Sequence, residues 1–578
     1  MRERILAAAL SVAFIGFVPS LAMAQTTPGD KLAALETKFF NEFLNEAPEA
    51  AVFLGDYSRA GQLSDPSPQA IERQKKMLAD FERELNAIDM TGATLHDRND
   101  MTLMRAELAS DKRQFEEQLQ GKDPSGPPQT IVGVTYIMIL HKDEMDPATW
   151  WDDMIALLEK APAWMTAQKH WITHPGKLQA QIAIKQFAQA PALYTYILTP
   201  MAASASLPAD KQARFEKARD ATVTALVAWQ KWMTDNVDKW PQNWQMGATA
   251  YNKMLKDEQL LPYNSDDIAA IGQKTLDAAV AQQNTILAEA KAKGIDLTDP
   301  AQAAKVGGGA VPLEKDAQFA FFQKQLDTLR AFIVDKNVVN VPSYVGEIKM
   351  EATPGFLLPI VPGAFMMPPA LLSKNPNGFY FIPPPNPDMM KKAAGGAIFE
   401  DFDRDRALMT SGHEGFPGHF LQLSIAKHDA DPIRRFSQDG VFSEGWAFYE
   451  EDLLWREGLY GNNLDGPYAV AQFERLRGAR AIVDVKLATG AMTYEQAIAW
   501  FKDAAGVDAD TAQGEVSRFA LGPGQAYDYA VGKTQIDDLL AKYKAQKGAA
   551  FDLEAFHNEL LSHGTVPVSI IASEMLAQ

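Results

Sequence analysis

From Lys31 to about Pro300, apolar residues recur at three- and four-residue intervals between Pro and Gly punctuation, the spacing of amphipathic helices. Over residues 208–240, Phe215, Ala218, Ala221, Ala225, Trp229 and Trp232 repeat at helix period, and Pro241 ends the run. The same spacing predicts helices over 266–293 and 313–336. Gly307-Gly308-Gly309 between them predicts a plain flexible connection, because no strand precedes it and no Gly-Lys-Ser/Thr follows, as a phosphate loop requires. Residues 338–387 break the pattern with Pro, β-branched and aromatic residues; 344–351 and 378–382 predict short strands bracketing a Pro-rich loop. Helical spacing resumes at Phe399 and runs nearly to the end. The predicted fold class is therefore mainly α with a small β element. No linker, repeat or low-complexity block divides the chain, so residues 25–578 read as a single large helical domain.

Residues 1–24 read as an export signal, with Arg2 and Arg4 ahead of the apolar run 5–18 and Ala22-Met23-Ala24 as a cleavage site, which places the mature start near Gln25. The run is too short for a strong membrane anchor, and no later stretch approaches the roughly 20 apolar residues of a spanning helix. The expected location is the periplasm or the medium. The chain has no Cys, so it has neither disulfides nor a thiol for a lipid anchor, and its stability must come from a core. Loss of Arg2, Glu3 and Arg4 with the signal takes the formal charge from −19 to −20, which disfavours nucleic acid as a partner. Oligomeric state is not legible.

The chemistry concentrates at Ser411-Gly-His-Glu-Gly-Phe-Pro-Gly-His-Phe-Leu-Gln422. Two imidazoles and a carboxylate are what a catalytic zinc site needs: neutral nitrogen ligands, and a base for the attacking water. In the common His-Glu-x-x-His arrangement the imidazoles stand four apart on one helical face. Here they stand six apart, which on a regular helix would turn them roughly 120° from each other. The helix must therefore break. Pro417 lacks an amide donor and would clash with the His413 carbonyl, while Gly415 and Gly418 accept unusual backbone, so a break that carries His419 back towards His413 is expected. A third ligand should come from a following helix, and Glu444, 25 residues beyond His419, is the best candidate. Glu451, two turns further on the same face, is placed to orient a ligand, although the pair Glu450-Glu451 also suits a solvated surface.

Four segments carry a family resemblance: His-Glu-Gly-Phe-Pro-Gly-His-Phe-Leu-Gln (413–422), Glu-Gly-Trp-Ala-Phe-Tyr-Glu-Glu (444–451), Pro-Gly-Gln-Ala-Tyr-Asp-Tyr-Ala-Val-Gly (523–532) and Phe-His-Asn-Glu-Leu-Leu-Ser-His-Gly-Thr-Val-Pro (556–567). In these the chain resembles the family catalogued as domain of unknown function 885, itself similar to helical gluzincin peptidases such as thimet oligopeptidase and angiotensin-converting enzyme. The resemblance implies a large helical fold with two lobes around a channel, and zinc (Zn2+) as cofactor. It implies His413, His419 and Glu444 as metal ligands and Glu414 as general base, with Tyr529 and Arg518 on the substrate side. Where members often carry His after the segment matching 480–484, this chain reads Val485-Lys486-Leu487-Ala488, which implies a difference in specificity.

The expected function is an exported zinc metallopeptidase acting on short peptides, as an exo- or oligopeptidase. A zinc amidase or esterase on another substrate, or a binding protein of the same fold, are the alternatives; retention of Glu414 disfavours the last, because holding a metal needs no general base. Tyr529 as a core phenol and Arg518 as half of an internal ion pair are the competing readings for those residues. The isolated His96, His141, His170, His174 and His428 read as surface or capped residues, His557 and His563 as structural, and the Trp residues as core packing.

Overall fold

Side-chain caps fix where the apolar periodicity becomes helix. Thr27, Thr94 and Asn264 each form a reciprocal capping box with an Asp three residues on, and Glu314 and Asp403 cap with their carboxylates. The computed structural model describes residues 27–577 apart from 118, 243, 359, 360 and 362, so the export signal expected over 1–24 lies outside the described residues. The protein is mainly helical with one three-stranded sheet. It resolves into two compact units. The first holds the described residues up to 242 with Ala370–Asn375 and Ala430–Phe436; the second holds those of Trp244–Pro369, Pro376–Asp429 and Ser437–Gln578.

In the first unit the main helices are α1 (Pro28–Glu46), α2 (Leu95–Glu116), α3 (Trp150–Gln168) and α4 (Ala209–Asn236). The last begins where Pro208 ends its extended approach, as the sequence predicts. Trp150, Trp151 and Trp229 are core residues: Trp151 meets Phe215 edge-on at 5.5 Å, and the indole N–H groups of Trp150 and Trp229 donate to the Met138 and Pro124 carbonyls, both at 2.9 Å. His141, read from sequence as a surface or capped residue, is enclosed and capped by Glu144 at 2.7 Å.

The second unit contains α5 (Ser265–Ala292), α6 (Lys315–Asp335), β1 (Ile348–Ala352), β2 (Phe365–Met367), β3 (Gly378–Ile382), α7 (Arg404–Glu414), α8 (His419–Ala426), α9 (Gly440–Arg456), α10 (Asp465–Ala488), α11 (Ala509–Leu521) and α12 (Asp528–Lys547). The sheet order is β1-β3-β2; β1 runs parallel to β3 with Ile348 opposite Gly378, and β2 antiparallel with Phe365 opposite Phe381. Every residue of β3 is buried, as befits the central strand. β1 and β3 are the strands the sequence predicts; β2 falls within the Pro-rich loop and is too short to show a period. The triglycine is not a loose connection: the Gly307 and Gly309 carbonyls accept from the Asp405 and Arg404 amides, tying it to the start of α7.

Two helices cross closely where α9 meets α12. A Cβ on Gly532 would sit 1.8 Å from the Val441 carbonyl oxygen, and one on Gly445 would sit 2.4 Å from the Gly532 Cα. Only hydrogen fits there, and the close crossing sets the depth of the helix that carries Glu444. Replacing Gly532 with Val is expected to destabilise by about 2 kcal/mol or more through overpacking, read as a lowered denaturation midpoint; an unchanged midpoint would show that the crossing is not a constraint.

His557 is fully enclosed, with Nδ1 2.6 Å from the Val338 carbonyl and Nε2 3.0 Å from the Tyr449 hydroxyl, a neutral tautomer donating to one and accepting from the other. Burial lowers its pKa to about 4. An unfolded chain takes up this proton near pH 6.5, the folded one only near 4, so stability is full above 6.5 and falls by about 3 kcal/mol as pH drops through that window. Chemical denaturation at pH 7.5 and 5.0 should show about two thirds of this fall in the parent and a smaller one in His557→Gln; equal falls would refute it.

Candidate metal centre

Helix α7 delivers His413 and Glu414 on its last turn and stops. Residues 415–418 then turn the chain so that α8 starts at His419. The turn is built from close main-chain approach: the Gly418 amide donates to the Gly412 carbonyl at 3.1 Å, and a Cβ on Gly418 would fall 2.0 Å from the His413 carbonyl oxygen. The Trp446 indole on α9 donates to the Pro417 carbonyl at 2.9 Å and pins the turn from the far side. The two imidazoles consequently face each other, ring centroids 4.8 Å apart and nearly perpendicular.

Glu444, on the first turns of α9, supplies the third donor. Its Oε2 lies 3.5 Å from His413 Nε2 and 3.3 Å from His419 Nε2, and the three donor atoms all fall within 4.8 Å of one another. Donors at 2.0–2.2 Å from a tetrahedral zinc stand roughly 3.3–3.6 Å apart. The two separations from Glu444 match that spacing and lack hydrogen-bond alignment: Oε2 is enclosed and accepts no hydrogen bond among the described residues. The donor set and an orphaned buried oxygen at its centre thus fit a zinc ion. Burial alone would raise the Glu444 pKa, but the two imidazoles hold its carboxyl well below the usual carboxylate range. Burial would likewise lower that of His413, yet Glu444 and Glu451 raise it to about 10. These carboxylates draw positive charge to this point, as protons or as an ion.

Glu451 is 2% exposed, so the solvated reading does not hold for it. Its Oε1 lies 2.7 Å from His413 Nδ1 and its Oε2 2.6 Å from Arg477 Nη1. A second Arg477 nitrogen also stands 3.3 Å from His413 Nδ1. Both cannot be satisfied, since a protonated Nδ1 cannot accept. The shorter, charge-assisted contact decides for Nδ1–H donating to Glu451, which leaves the Nε2 lone pair for an ion. Neighbouring Glu450 is fully buried with both oxygens unpaired among the described residues; burial, then the Glu451 charge, push its pKa well above the usual value, so it stands as a neutral acid.

Glu414 points to the edge of the sheet, where its Oε2 accepts the Met366 amide of β2 at 3.0 Å; burial raises its pKa. Tyr529, on α12, lies nearly parallel to the His413 ring at 6.2 Å between centroids. Burial lifts its pKa to about 12, so it remains a neutral phenol, and its hydroxyl makes no hydrogen bond among the described residues. Arg518 acts on Tyr529 and is itself paired: Nε and Nη2 reach Glu515 at 3.4 and 3.5 Å, and Nη1 donates to Gln525. The sequence reading missed Arg477 and Arg480, both buried on α10 and both against the Tyr529 ring, at 5.0 and 5.1 Å. A readable signal existed in two arginines set among small and apolar residues, Leu476-Arg477-Gly478-Ala479-Arg480-Ala481-Ile482. A second convergent group, His96, Asp100 and Asp431 in the first unit, already has a cation, the Arg434 guanidinium 2.8 Å from Asp100.

Comparison with curated proteins returned no match. Two solved structures are similar in fold over nearly the whole chain. One, a "putative lipoprotein of unknown function" from Shewanella oneidensis, superposes with a TM-score of 0.75 at 21% identity, covering 94% of this chain and 99% of that one. The other, a "putative lipoprotein" from Colwellia psychrerythraea, gives 0.72 at 19% identity, covering 95% and 99%. At such identities the likeness is one of fold. The profile of the family described as "Bacterial protein of unknown function (DUF885)" matches residues 48–575, and the chain belongs to that family.

Proposed function

We propose that this protein is an exported zinc-dependent peptidase that hydrolyses short peptides, with Glu414 as general base. The reading is carried by the convergence of His413 Nε2, His419 Nε2 and Glu444 Oε2 at zinc-ligand spacing. Two imidazoles and one carboxylate are a catalytic rather than a structural donor set, because they leave a coordination position open. Zinc bound by these residues would supply Lewis acidity, polarising a carbonyl and acidifying water.

The remaining chemistry belongs to the chain. The Met366 amide fixes one oxygen of Glu414 and leaves the other without a hydrogen bond among the described residues, ready to take a proton from attacking water and hand it to the leaving amine. Tyr529, a neutral phenol beside His413 whose hydroxyl makes no hydrogen bond among the described residues, is suited to donate to the oxyanion. Glu451 and Arg477 hold the His413 ring and its tautomer. Export is supported by the signal-like residues 1–24 and by the lipoprotein descriptions of the two structural neighbours. Among the described residues no helix is long and apolar enough to cross a membrane.

The mature protein is expected to bind about one zinc ion per chain, and Glu451→Gln to weaken binding by about 10- to 100-fold, measured by competition with a chromophoric chelator. Failure of the parent to bind zinc would overturn the reading. Glu414→Gln should keep zinc while turnover of a short-peptide mixture falls by about 10²- to 10⁴-fold; a zinc-loaded parent that cuts no peptide would redirect the search to other amides and to esters.

A further inference from the structure

Three arginines surround Tyr529, and they differ in what their guanidiniums are given to hold. Arg477 spends one terminal nitrogen on Glu451 and points the other at His413. Arg518 is occupied by Glu515 and Gln525. Arg480 donates only through Nε, to Glu515. Its Nη1 and Nη2 make no hydrogen bond to any described residue, although the side chain is only 5% exposed. Neither nitrogen is among the fully enclosed polar atoms, so the open edge of the fork is reachable.

Three guanidiniums share two directly paired carboxylates. Glu451 answers Arg477, but the single carboxylate of Glu515 serves both Arg480 and Arg518. Two further carboxylates act on Arg518 without a direct contact: Asp484, taken up by the Gly524 and Ala526 amides and the Tyr251 hydroxyl, and Glu444, which faces the two imidazoles. A buried guanidinium with an unfilled fork is costly unless an anion completes it, and the fork geometry matches a carboxylate through two parallel N–H···O bonds.

The position says whose carboxylate it is. Arg480 lies on the same Tyr529 ring that lies parallel to His413, so an anion held there is one aromatic ring from the metal ligands. A chain end enters so enclosed a position more readily than a side-chain carboxylate, which brings main chain on both sides. We propose that Arg480 binds the free C-terminal carboxylate of the peptide, so that the enzyme works inward from the C-terminus. The assignment rests on the peptidase reading above.

The test compares Ala-Ala-Phe with its C-terminal amide on the zinc-loaded protein. A charged hydrogen-bonded contact predicts kcat/KM about 10- to 100-fold higher for the acid. In Arg480→Gln, and in Arg480→Lys, which keeps the charge but not the fork, that ratio should fall towards one through KM, with zinc content and melting temperature held as evidence of folding. A second readout needs no turnover: calorimetric binding of the same two peptides to Glu414→Gln, with and without Arg480→Gln. If the acid binds tightly through Arg480 but nothing is cut by the parent, the carboxylate site stands and the peptidase reading falls. If peptides are cut and acid and amide are handled equally, the carboxylate site falls and the peptidase reading stands. A preference for Ala-Glu-Ala amide over Ala-Ala-Ala amide that Arg480→Gln abolishes would give the fork to a side chain and overturn the C-terminal assignment.

Discussion

The site depends on a place where a helix is made to fail. Residue 418 sits so close to the carbonyls of Gly412 and His413 that any side chain would collide with main chain, and Pro417 before it cannot donate to the α-helical ladder. The failure ends α7 at Glu414 and gains a reversal of the chain that points two imidazoles, six residues apart, at one carboxylate. The freed main-chain groups are not left orphaned: the Gly418 amide returns to Gly412, and the Pro417 carbonyl accepts the Trp446 indole. The break is thereby held from α9, the helix that supplies the third donor.

Around that point the second unit buries charges that a core would ordinarily avoid. Glu451, Arg477, Arg480, Asp484 and Glu515 are all nine-tenths or more enclosed. Buried ion pairs of this sort contribute little net stability, since desolvation offsets most of the Coulombic gain. Their arrangement makes sense as orientation. Glu451 is clamped between His413 and Arg477, and Arg477 in turn stacks on Phe448 and Tyr529, so each ring and fork near the candidate centre has one position available to it. The apolar packing that supports this network lies at the close crossing of α9 with α12.

Much of the fold was legible because it obeys local rules. The helices over 208–240, 266–293 and 313–336 announced themselves by apolar spacing and emerged within a few residues of those limits, where Pro208, Asn264 and Glu314 cap them. β3, continuous in aromatic and branched residues, was legible as well. β2 was not, since three residues carry no periodicity and its pairing partner lies elsewhere in sequence. The docking of the triglycine against α7 was equally hidden, because the hydrogen bonds that hold it come from residues about a hundred positions away.

The sequence by itself determined the helical class, the need for a break between His413 and His419, and the residue types of a candidate metal donor set, because these follow from backbone sterics and ligand chemistry acting over short stretches of chain. Tertiary structure alone decided that Glu451 is clamped rather than solvated, that Arg518 turns to Glu515, and that Arg480 keeps an open fork beside Tyr529. Partner choice for a buried charge is set by which helices pack together and at what depth, and that information is spread over residues distant in sequence.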